Sequence, residues 1–417
     1  LPSALAATVT VLLMFWYFRR QLGPTAGLLA AAMTPLSFMW LDKATAAEID
    51  MLQVAWVTAA IVCFLRALET DEETRRQGDK ETRREEALLQ SPRPWLWWLA
   101  ALLCVAGGVL TKWTAPAFFY GTVVPLLWWR GRLRLLFRRE HLVSAAVGAA
   151  TCFAWAGLAV SLGGWDAFYD TVSREALMRL APAQYSQAYP WRETLLHPLR
   201  LLAASLPCSA FALLTLRPGF ARAFDDRGRR LLQALHCWTW PNIGFWSFVS
   251  QHSPRHSFPL FPGLAGLAAL CWLAWLKGWQ RWPLARVAPG RVLVGLLVLW
   301  LAVKLVFVHV SIPRRMHGRE PRAKGEQLAA LVPAGQTLYL FRVKDEGIMF
   351  YYRRPVRRLT EPAQLPSPST PVYCILDAVE WQAWPRKASS EVLLKSRDEQ
   401  GDPLVLVRLW SQSGSSR

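Results

Sequence analysis

The chain has 417 residues, 53% of them hydrophobic, and its 48 Lys and Arg residues outnumber its 29 Asp and Glu residues by 19. A basic soluble chain would suggest a nucleic-acid partner, but here the apolar residues form blocks of roughly 17 to 22, the length that spans a bilayer. This composition excludes ordinary soluble, disordered and collagen-like chains, and it predicts a membrane protein with no nucleic-acid partner.

Ten long apolar stretches predict about ten transmembrane helices in an all-α polytopic domain that covers residues 1–312. They are residues 2–18, 24–41, 50–68, 95–111, 114–129, 142–162, 195–216, 231–249, 257–276 and 292–311. The linkers form two alternating sets, one with 23 Lys and Arg residues and the other with 7. By the positive-inside rule the first set is cytoplasmic, so we expect a multi-pass protein of the plasma membrane.

The same rule puts Leu1 on the outer side, at the start of a helix that runs inward. The sequence also begins with Leu and without the charged segment of a signal peptide. We therefore expect an N-terminally truncated protein, in which a first helix and the external loop after it precede residue 1.

Two cytoplasmic linkers have distinctive patterns. Residues 69–90 are a run of mixed charges without an apolar face, which predicts a solvated loop, helical or disordered. Residues 128–141 place Leu133, Leu136 and Phe137 among arginines. This pattern predicts an amphipathic helix on the anionic inner leaflet, and a role in binding a lipid substrate is the alternative.

After residue 312 the long apolar blocks give way to short alternating runs. Four runs predict strands, around residues 336–343, 371–378, 391–396 and 403–410. Helical segments are expected around residues 325–331, 345–352 and 379–384. Residues 313–417 are thus predicted to be a small α/β domain, and the topology makes it extracytoplasmic.

Polar residues gather at the outer ends of the predicted helices. Glu48 and Asp50 open the third span, where the helix dipole favours acidic residues and a simple cap explains them. The alternative is a carboxylate that faces a polar cavity at the water–lipid boundary. Lys112 follows two glycines in a tight external turn, which suits a phosphate-binding lysine. An interfacial lysine beside Trp113 is the plain alternative.

Two further clusters lie on the same side. Glu175 and Arg179 are four residues apart in the long external loop, and so share a helix face. They form either a surface salt bridge or a phosphate clamp in which Glu175 orients Arg179. Arg255 and His256 precede a proline-interrupted span and form a candidate outward-facing site. As a metal motif this segment is weak, because no third ligand follows at a fixed spacing.

Other motifs that carry chemistry are missing from the sequence. It has no Walker loop, no GxGxxG after a strand, no HExxH and no GxSxG, and its seven cysteines show no CxxC spacing. An integral enzyme that takes a lipid-linked donor from the bilayer therefore fits better than one that uses a cytoplasmic sugar nucleotide.

Four segments together resemble bacterial GT-C glycosyltransferases. They are LPSALAATVTVLLMFWYFRRQLGPTAGLLAAAM, AEIDM, GGVLTKWTAP and PRHSFPLFPGLAGLAAL. The resemblance is to the protein O-mannosyltransferases and the lipid A aminoarabinose transferases, of the glycosyltransferase family 39 type. It implies transfer of a hexosyl or pentosyl group, with inversion, from a polyprenyl-phosphate carrier. The acceptor would be a hydroxyl or phosphate of a lipid, glycan or protein at the outer face of the bacterial inner membrane.

The resemblance also implies roles for individual residues. Asp50 and Glu48 match catalytic carboxylate positions. The donor phosphate would be bound by Lys112, Arg179, Glu175, Arg255 and His256. His256 stands where many relatives have Tyr. The family's principal acidic residue lies in the first external loop, which would precede residue 1, so this chain is expected to lack it and to hold the donor side of the site.

Two other functions stay open. One is a transporter or flippase of lipid-linked sugars, and the other is a non-catalytic membrane scaffold whose external domain binds partners. A transporter predicts internal repeats and several charges in mid-membrane, whereas only Lys304 lies deep in a predicted span. The sequence leaves open the sugar, the acceptor, the oligomeric state and whether a divalent metal ion is required.

Overall fold

The structure is a computed structural model that divides into two compact units, Leu1–Trp300 and Leu301–Arg417. It describes residues 2–44, 48–78, 94–180, 191–249, 253–279, 288–316, 320–341, 346–359, 364–366, 371–384, 390–398 and 401–410.

Helices form the described part of the chain up to residue 306. They are Pro2–Leu22 (α1), Pro24–Met33 (α2), Phe38–Lys43 (α3), Asp50–Gly78 (α4), Pro94–Thr111 (α5), Ala115–Trp129 (α6), Arg139–Gly163 (α7), Trp165–Leu180 (α8), Trp191–Ala204 (α9), Cys208–Leu214 (α10), Asp226–Phe248 (α11), Phe261–Leu276 (α12) and Pro289–Val306 (α13). Short 3-10 helices cover Leu133–Phe137, Phe220–Ala223 and Pro254–Leu260.

Six helical segments of the described residues are long and apolar enough to cross a membrane. They are Pro2–Leu22, Asp50–Thr74, Pro94–Thr111, Arg139–Gly163, Pro254–Leu276 and Pro289–Arg314. They correspond to six of the ten predicted spans, and the other four are present as helices that are shorter, interrupted or more polar. The prediction of a polytopic helical membrane protein is confirmed.

Two predicted spans are interrupted at prolines. Pro35 follows α2, and Ser37 then caps α3, its Oγ accepting a hydrogen bond from the backbone N–H of Trp40 at 3.2 Å. The predicted span 195–216 is divided between α9 and α10, with Pro207 just before α10. Ser37 and Pro207 pair in an isolated antiparallel bridge, so the two interruptions meet. Average hydropathy does not detect such breaks, because the interrupting residues are small or apolar.

Of the two linkers predicted to be cytoplasmic, the first is helical over its described part, which is one of the two predicted forms, and the second differs from the prediction. Helix α4 continues through Gly78, so the first part of segment 69–90 is ordered helix, and residues 79–93 lie outside the described part of the chain. The predicted amphipathic helix over 128–141 is wrong. Gly131 adopts a positive φ of 64°, which ends α6, and the 3-10 helix Leu133–Phe137 leads into α7.

Burial separates a central span from a peripheral one within the helical unit. In Pro254–Leu276, 94% of the apolar window is buried, whereas in Arg139–Gly163 only 11% is. The first segment is packed among other helices, and the second exposes its apolar side chains, as a lipid-facing helix does.

The second unit is a small α/β domain, as predicted. Its strands are Leu338–Leu340 (β1), Val356–Arg358 (β2), Val372–Asp377 (β3), Ser390–Arg397 (β4) and Pro403–Leu409 (β5), in the sheet order β2-β1-β3-β5-β4. Strand β1 is parallel to β2 and β3, and β5 is antiparallel to β3 and β4. The described helices after α13 are Ile312–Met316 (α14), Pro321–Leu331 (α15), Glu346–Tyr352 (α16) and Ala378–Gln382 (α17).

Both faces of this sheet are covered by apolar side chains. Along β3, Tyr373 and Ile375 join one buried cluster while Cys374 and Leu376 join the other, as strand alternation requires. Burial raises the pKa of the Cys374 thiol to about 12. Cys374 therefore stays protonated and acts as a small hydrophobic residue of the core.

Candidate functional site

Asp50 and Lys112 form a buried ion pair at one end of the helical unit. Asp50 is the first residue of α4, and Lys112 directly follows α5. Lys112 Nζ lies 2.8 Å from Asp50 Oδ1, and the two residues are 9% and 1% exposed. A buried pair at this distance is more than a helix cap, since the carboxylate joins two chain segments that are 62 residues apart.

Arg255 completes the arrangement from the 3-10 helix Pro254–Leu260. Its Nε donates a hydrogen bond to Asp50 Oδ2, so the two oxygens of Asp50 each face a different cation. Its NH2 group lies 3.4 Å from Glu48 Oε2, and Lys43 Nζ lies 2.9 Å from Glu48 Oε1. The Lys112 side chain is enclosed, whereas the Arg255 side chain is 44% exposed and reaches the surface.

Three polar residues close in sequence to these charges were not predicted. Gln53 Nε2 donates a hydrogen bond to Thr114 Oγ1 at 2.5 Å, and both residues are buried. Gln53 Oε1 and Ser257 Oγ are buried and have no hydrogen-bond partner among the residues that the structure describes. Unsatisfied buried acceptors and hydroxyls are costly in a folded protein, so these atoms suit contact with a bound polar group or water.

The sequence did contain a pattern that points to these three residues. Gln53 follows Asp50 by three positions, which puts both on one face of an otherwise apolar helix. Thr114 and Ser257 each follow a basic residue of the site by two positions. The pattern becomes specific only once the charged site is known, because isolated polar residues occur in many environments.

Glycines hold Lys112 in place by allowing close helix approach, as predicted. A Cβ atom on Gly108 would lie 2.5 Å from Ala115 Cβ at the start of α6. A Cβ atom on Gly107 would lie 2.8 Å from the Trp56 ring of α4. Helix α5 therefore packs tightly against both neighbours just before the turn that carries Lys112.

The structure says less about the remaining predicted site residues. Glu175 and Arg179 belong to helix α8, and their side chains lie outside the described part of the structure. His256 is half-buried beside Arg255, and its backbone N–H donates to the Ser253 carbonyl at 3.0 Å. Among the described residues, no group of three or more His, Cys, Asp or Glu side chains is placed to hold a metal ion.

The charges of the cluster are balanced. Three cationic side chains, Lys43, Lys112 and Arg255, face three carboxylates, Asp42, Glu48 and Asp50. An anion that entered would compete with carboxylates that already hold the cations. Two cations thus converge on one carboxylate, and charge-assisted hydrogen bonds fix the positions of both.

Comparison with known proteins agrees with the fold predicted from the sequence. Residues 1–76 match the family described as dolichyl-phosphate-mannose-protein mannosyltransferase. A search of curated proteins found no match. The structure is similar to ArnT from Cupriavidus metallidurans bound to undecaprenyl phosphate, with a TM-score of 0.64 at 15% identity, over 100% of this chain and 84% of that one. Against the same protein in the apo state the TM-score is 0.60 at 14% identity, over 97% of this chain and 82% of that one.

The part matched to the mannosyltransferase family includes helices α1 to α3 and most of α4, and hence Asp50. The similarity to ArnT extends over both units. Because the sequence identity is only 15%, the similarity shows the fold alone. The chain thus has the GT-C fold of ArnT, a multi-pass membrane architecture, and its first 76 residues carry the sequence pattern of the mannosyltransferase family.

Proposed function

We propose that the protein is an integral-membrane glycosyltransferase that takes a sugar from a polyprenyl-phosphate donor. The acceptor would be a hydroxyl or phosphate group of a lipid, glycan or protein on the outer side of the membrane. The main observation in support is that Lys112 and Arg255 both bind one buried carboxylate at a helix end. The ArnT-like fold supports the same reading, since one of the similar structures is bound to undecaprenyl phosphate.

The chemistry divides between the two charge types. The bond from the sugar C1 to the carrier phosphate breaks, a bond from the acceptor oxygen to C1 forms, and the acceptor proton passes to a base. Negative charge develops on the departing phosphate, where Lys112 and Arg255 would stabilise it. A carboxylate would take the proton.

The two predicted catalytic carboxylates differ in their surroundings. Both oxygens of Asp50 accept hydrogen bonds from cations, which stabilise the ionised carboxylate. This favours a role for Asp50 in positioning Lys112 and Arg255. Glu48 also lies beside two cations, but its Oε2, 3.4 Å from Arg255, has no hydrogen bond within the described part of the chain, unlike the two oxygens of Asp50. Glu175, Arg179 and His256 stay predicted contributors to phosphate binding.

The test is to replace the buried cation. Lys112→Met keeps the length of the side chain and removes its charge. We expect it to lower sugar transfer from undecaprenyl-phosphate-linked hexoses or pentoses about a hundredfold, the usual effect of losing one group that stabilises developing charge. Binding of undecaprenyl phosphate itself should weaken in the same variant, and this measurement needs no knowledge of the sugar.

The matched control is Lys304→Met, which removes a lysine from an exposed position of α13. It should leave transfer and binding unchanged. If Lys112→Met retained both activities, the assignment of the donor phosphate to this cluster would be wrong. A different outcome would favour a carrier of lipid-linked sugars. In that case the unaltered protein would bind undecaprenyl phosphate but transfer no sugar, and Lys112→Met would abolish the binding.

A further inference from the structure

A second polar region lies at the opposite end of α4. Glu69 follows Asp50 by 19 residues, which is about 29 Å along a helix at 1.5 Å per residue. Beside it is a cavity of about 280 Å³ between α1, α4, the end of α6 and the start of α11. Its basic lining residues are Arg20, Arg130, Arg227 and Arg230.

Three carboxylates, Glu69, Glu72 and Glu73, line the cavity beside the four arginines. Glu69 accepts from the Tyr17 hydroxyl at 2.8 Å and also binds Gln21 and Arg66. Arg20 reaches Glu69 only at 4.0 Å, which is longer than a hydrogen bond. Arg20 therefore keeps donor groups that can face the cavity.

Glu72 is likewise divided among several arginines. It lies 3.6 Å from Arg130 NH1, 3.3 Å from Arg132 NH1 and 3.7 Å from Arg230 Nε. Arg132 also pairs with Asp71, so Glu72 is left divided between Arg130 and Arg230. Arg227 adds a further positive charge, and it has no ion-pair partner among the residues that the structure describes.

Arg130 is the most enclosed of the lining cations, with 13% of its side chain exposed. Its Nε donates to Gln233 Oε1 at 3.1 Å and its NH2 donates to the Arg230 carbonyl at 3.0 Å. These bonds fix the guanidinium plane and leave NH1 without a hydrogen bond to Glu72. Burial lowers the pKa of Arg130, as expected for a cation whose desolvation is incompletely compensated.

We propose that this cavity binds the phosphate of an anionic membrane phospholipid through Arg20, Arg130, Arg227 and Arg230. Trp128 and Trp129, immediately before Arg130, are 74% and 61% exposed. Exposed tryptophans at the end of an apolar helix mark the depth of the lipid headgroups. Basic pockets between helices at that depth are typical headgroup sites.

The size of the cavity supports a headgroup as the ligand. Pockets for drug-sized molecules occupy about 300–1,000 Å³, so this cavity lies at the lower limit of that range. It suits a phosphate with a small substituent, whose acyl chains would remain outside in the bilayer. The proposal is independent of sugar transfer, because its measurement is lipid binding.

The test compares two double variants that remove the same charge from the same two helices. Arg20→Gln/Arg227→Gln removes two lining arginines, both exposed, so the fold should survive. Arg19→Gln/Arg229→Gln removes their exposed neighbours, which do not line the cavity. Binding of phosphatidylglycerol and phosphatidylcholine to the purified protein is measured by native mass spectrometry, with inorganic phosphate as a competitor.

We expect the unaltered protein to retain phosphatidylglycerol in preference to phosphatidylcholine. Each lining arginine contributes about fivefold in affinity, so the first double variant should lose about twenty-five-fold and the second less than twofold. Equal losses of lipid affinity in the two variants would mean that binding depends on diffuse surface charge, and this would overturn the proposal. Equal binding of the two lipids, or full displacement by millimolar inorganic phosphate, would also overturn it.

Discussion

Lys112 and Arg255 both bind Asp50, so replacing Asp50 should lower the stability of the protein. Asp50→Asn keeps the size of the side chain but leaves the buried Lys112 without its carboxylate. Removing one partner of a buried ion pair costs about 3–5 kcal/mol. We therefore expect a clearly lower thermal denaturation midpoint for this variant in detergent solution.

The double variant Asp50→Asn/Lys112→Met should recover much of that loss, because it removes both charges together. The coupling between the two positions should amount to about 1–3 kcal/mol. Asp42→Asn serves as the control, since Asp42 lies 3.1 Å from Lys43 at a more exposed position and should change stability by less than about 1 kcal/mol. Strictly additive losses at positions 50 and 112 would mean that the two charges do not interact.

Residue types at helix ends were enough to select Asp50, Lys112 and Arg255 from the sequence. Their contacts were not predictable in the same way, because Asp50 and Arg255 are 205 residues apart and no local pattern brings them together. Gln53 was missed because a single polar residue in an apolar helix is compatible with many environments. Its position one turn after Asp50 becomes informative only when the site is known.

At the scale of elements, the position of Lys112 depends on how closely α5 and α6 approach. A methyl group on Gly108 would lie 2.5 Å from Ala115 Cβ, so Gly108→Ala must push the two helices apart. Overpacking of this kind costs about 1–3 kcal/mol. Because the Lys112 backbone N–H donates to the Gly108 carbonyl at 2.7 Å, the lysine should move as well. We expect lower thermal stability and weaker binding of undecaprenyl phosphate.

Gly157→Ala in α7 is the matched control for this substitution. A methyl group there meets no atom within 4 Å, and alanine is the better helix former by about 1 kcal/mol. This variant should be as stable as the unaltered protein or slightly more so. Equal losses at positions 108 and 157 would show that the effect of Gly108→Ala does not arise from helix approach.

Some helices and strands were predicted correctly from the sequence and others were missed, for physical reasons that differ between them. Long apolar stretches predicted the spanning helices because the length of a bilayer crossing is fixed. The interruptions at Pro35 and Pro207 were missed because hydropathy averages over the residues that break a helix. Strand β2 was missed because its three residues, Val356–Arg358, lie among arginines and are too few to show alternation.

At the scale of the whole molecule, the two polar clusters on α4 differ in charge. The cluster at Asp50 is balanced, whereas that at the other end is rich in arginine and includes Arg66, Arg130, Arg132 and Arg138. The separation of about 29 Å matches the thickness of the hydrocarbon core. Since basic ends face the cytoplasm, the Asp50 end should face outward and the second unit should be extracytoplasmic.

Reporter fusions test this orientation directly. Alkaline phosphatase folds only outside the cytoplasm and green fluorescent protein fluoresces mainly inside it. We expect phosphatase activity and no fluorescence from fusions after Arg417. Fusions that replace the chain after Gly78, at the end of α4, should show the reverse. Fluorescence after Arg417 would place the second unit in the cytoplasm, and phosphatase activity after Gly78 would place the arginine-rich end of α4 outside it.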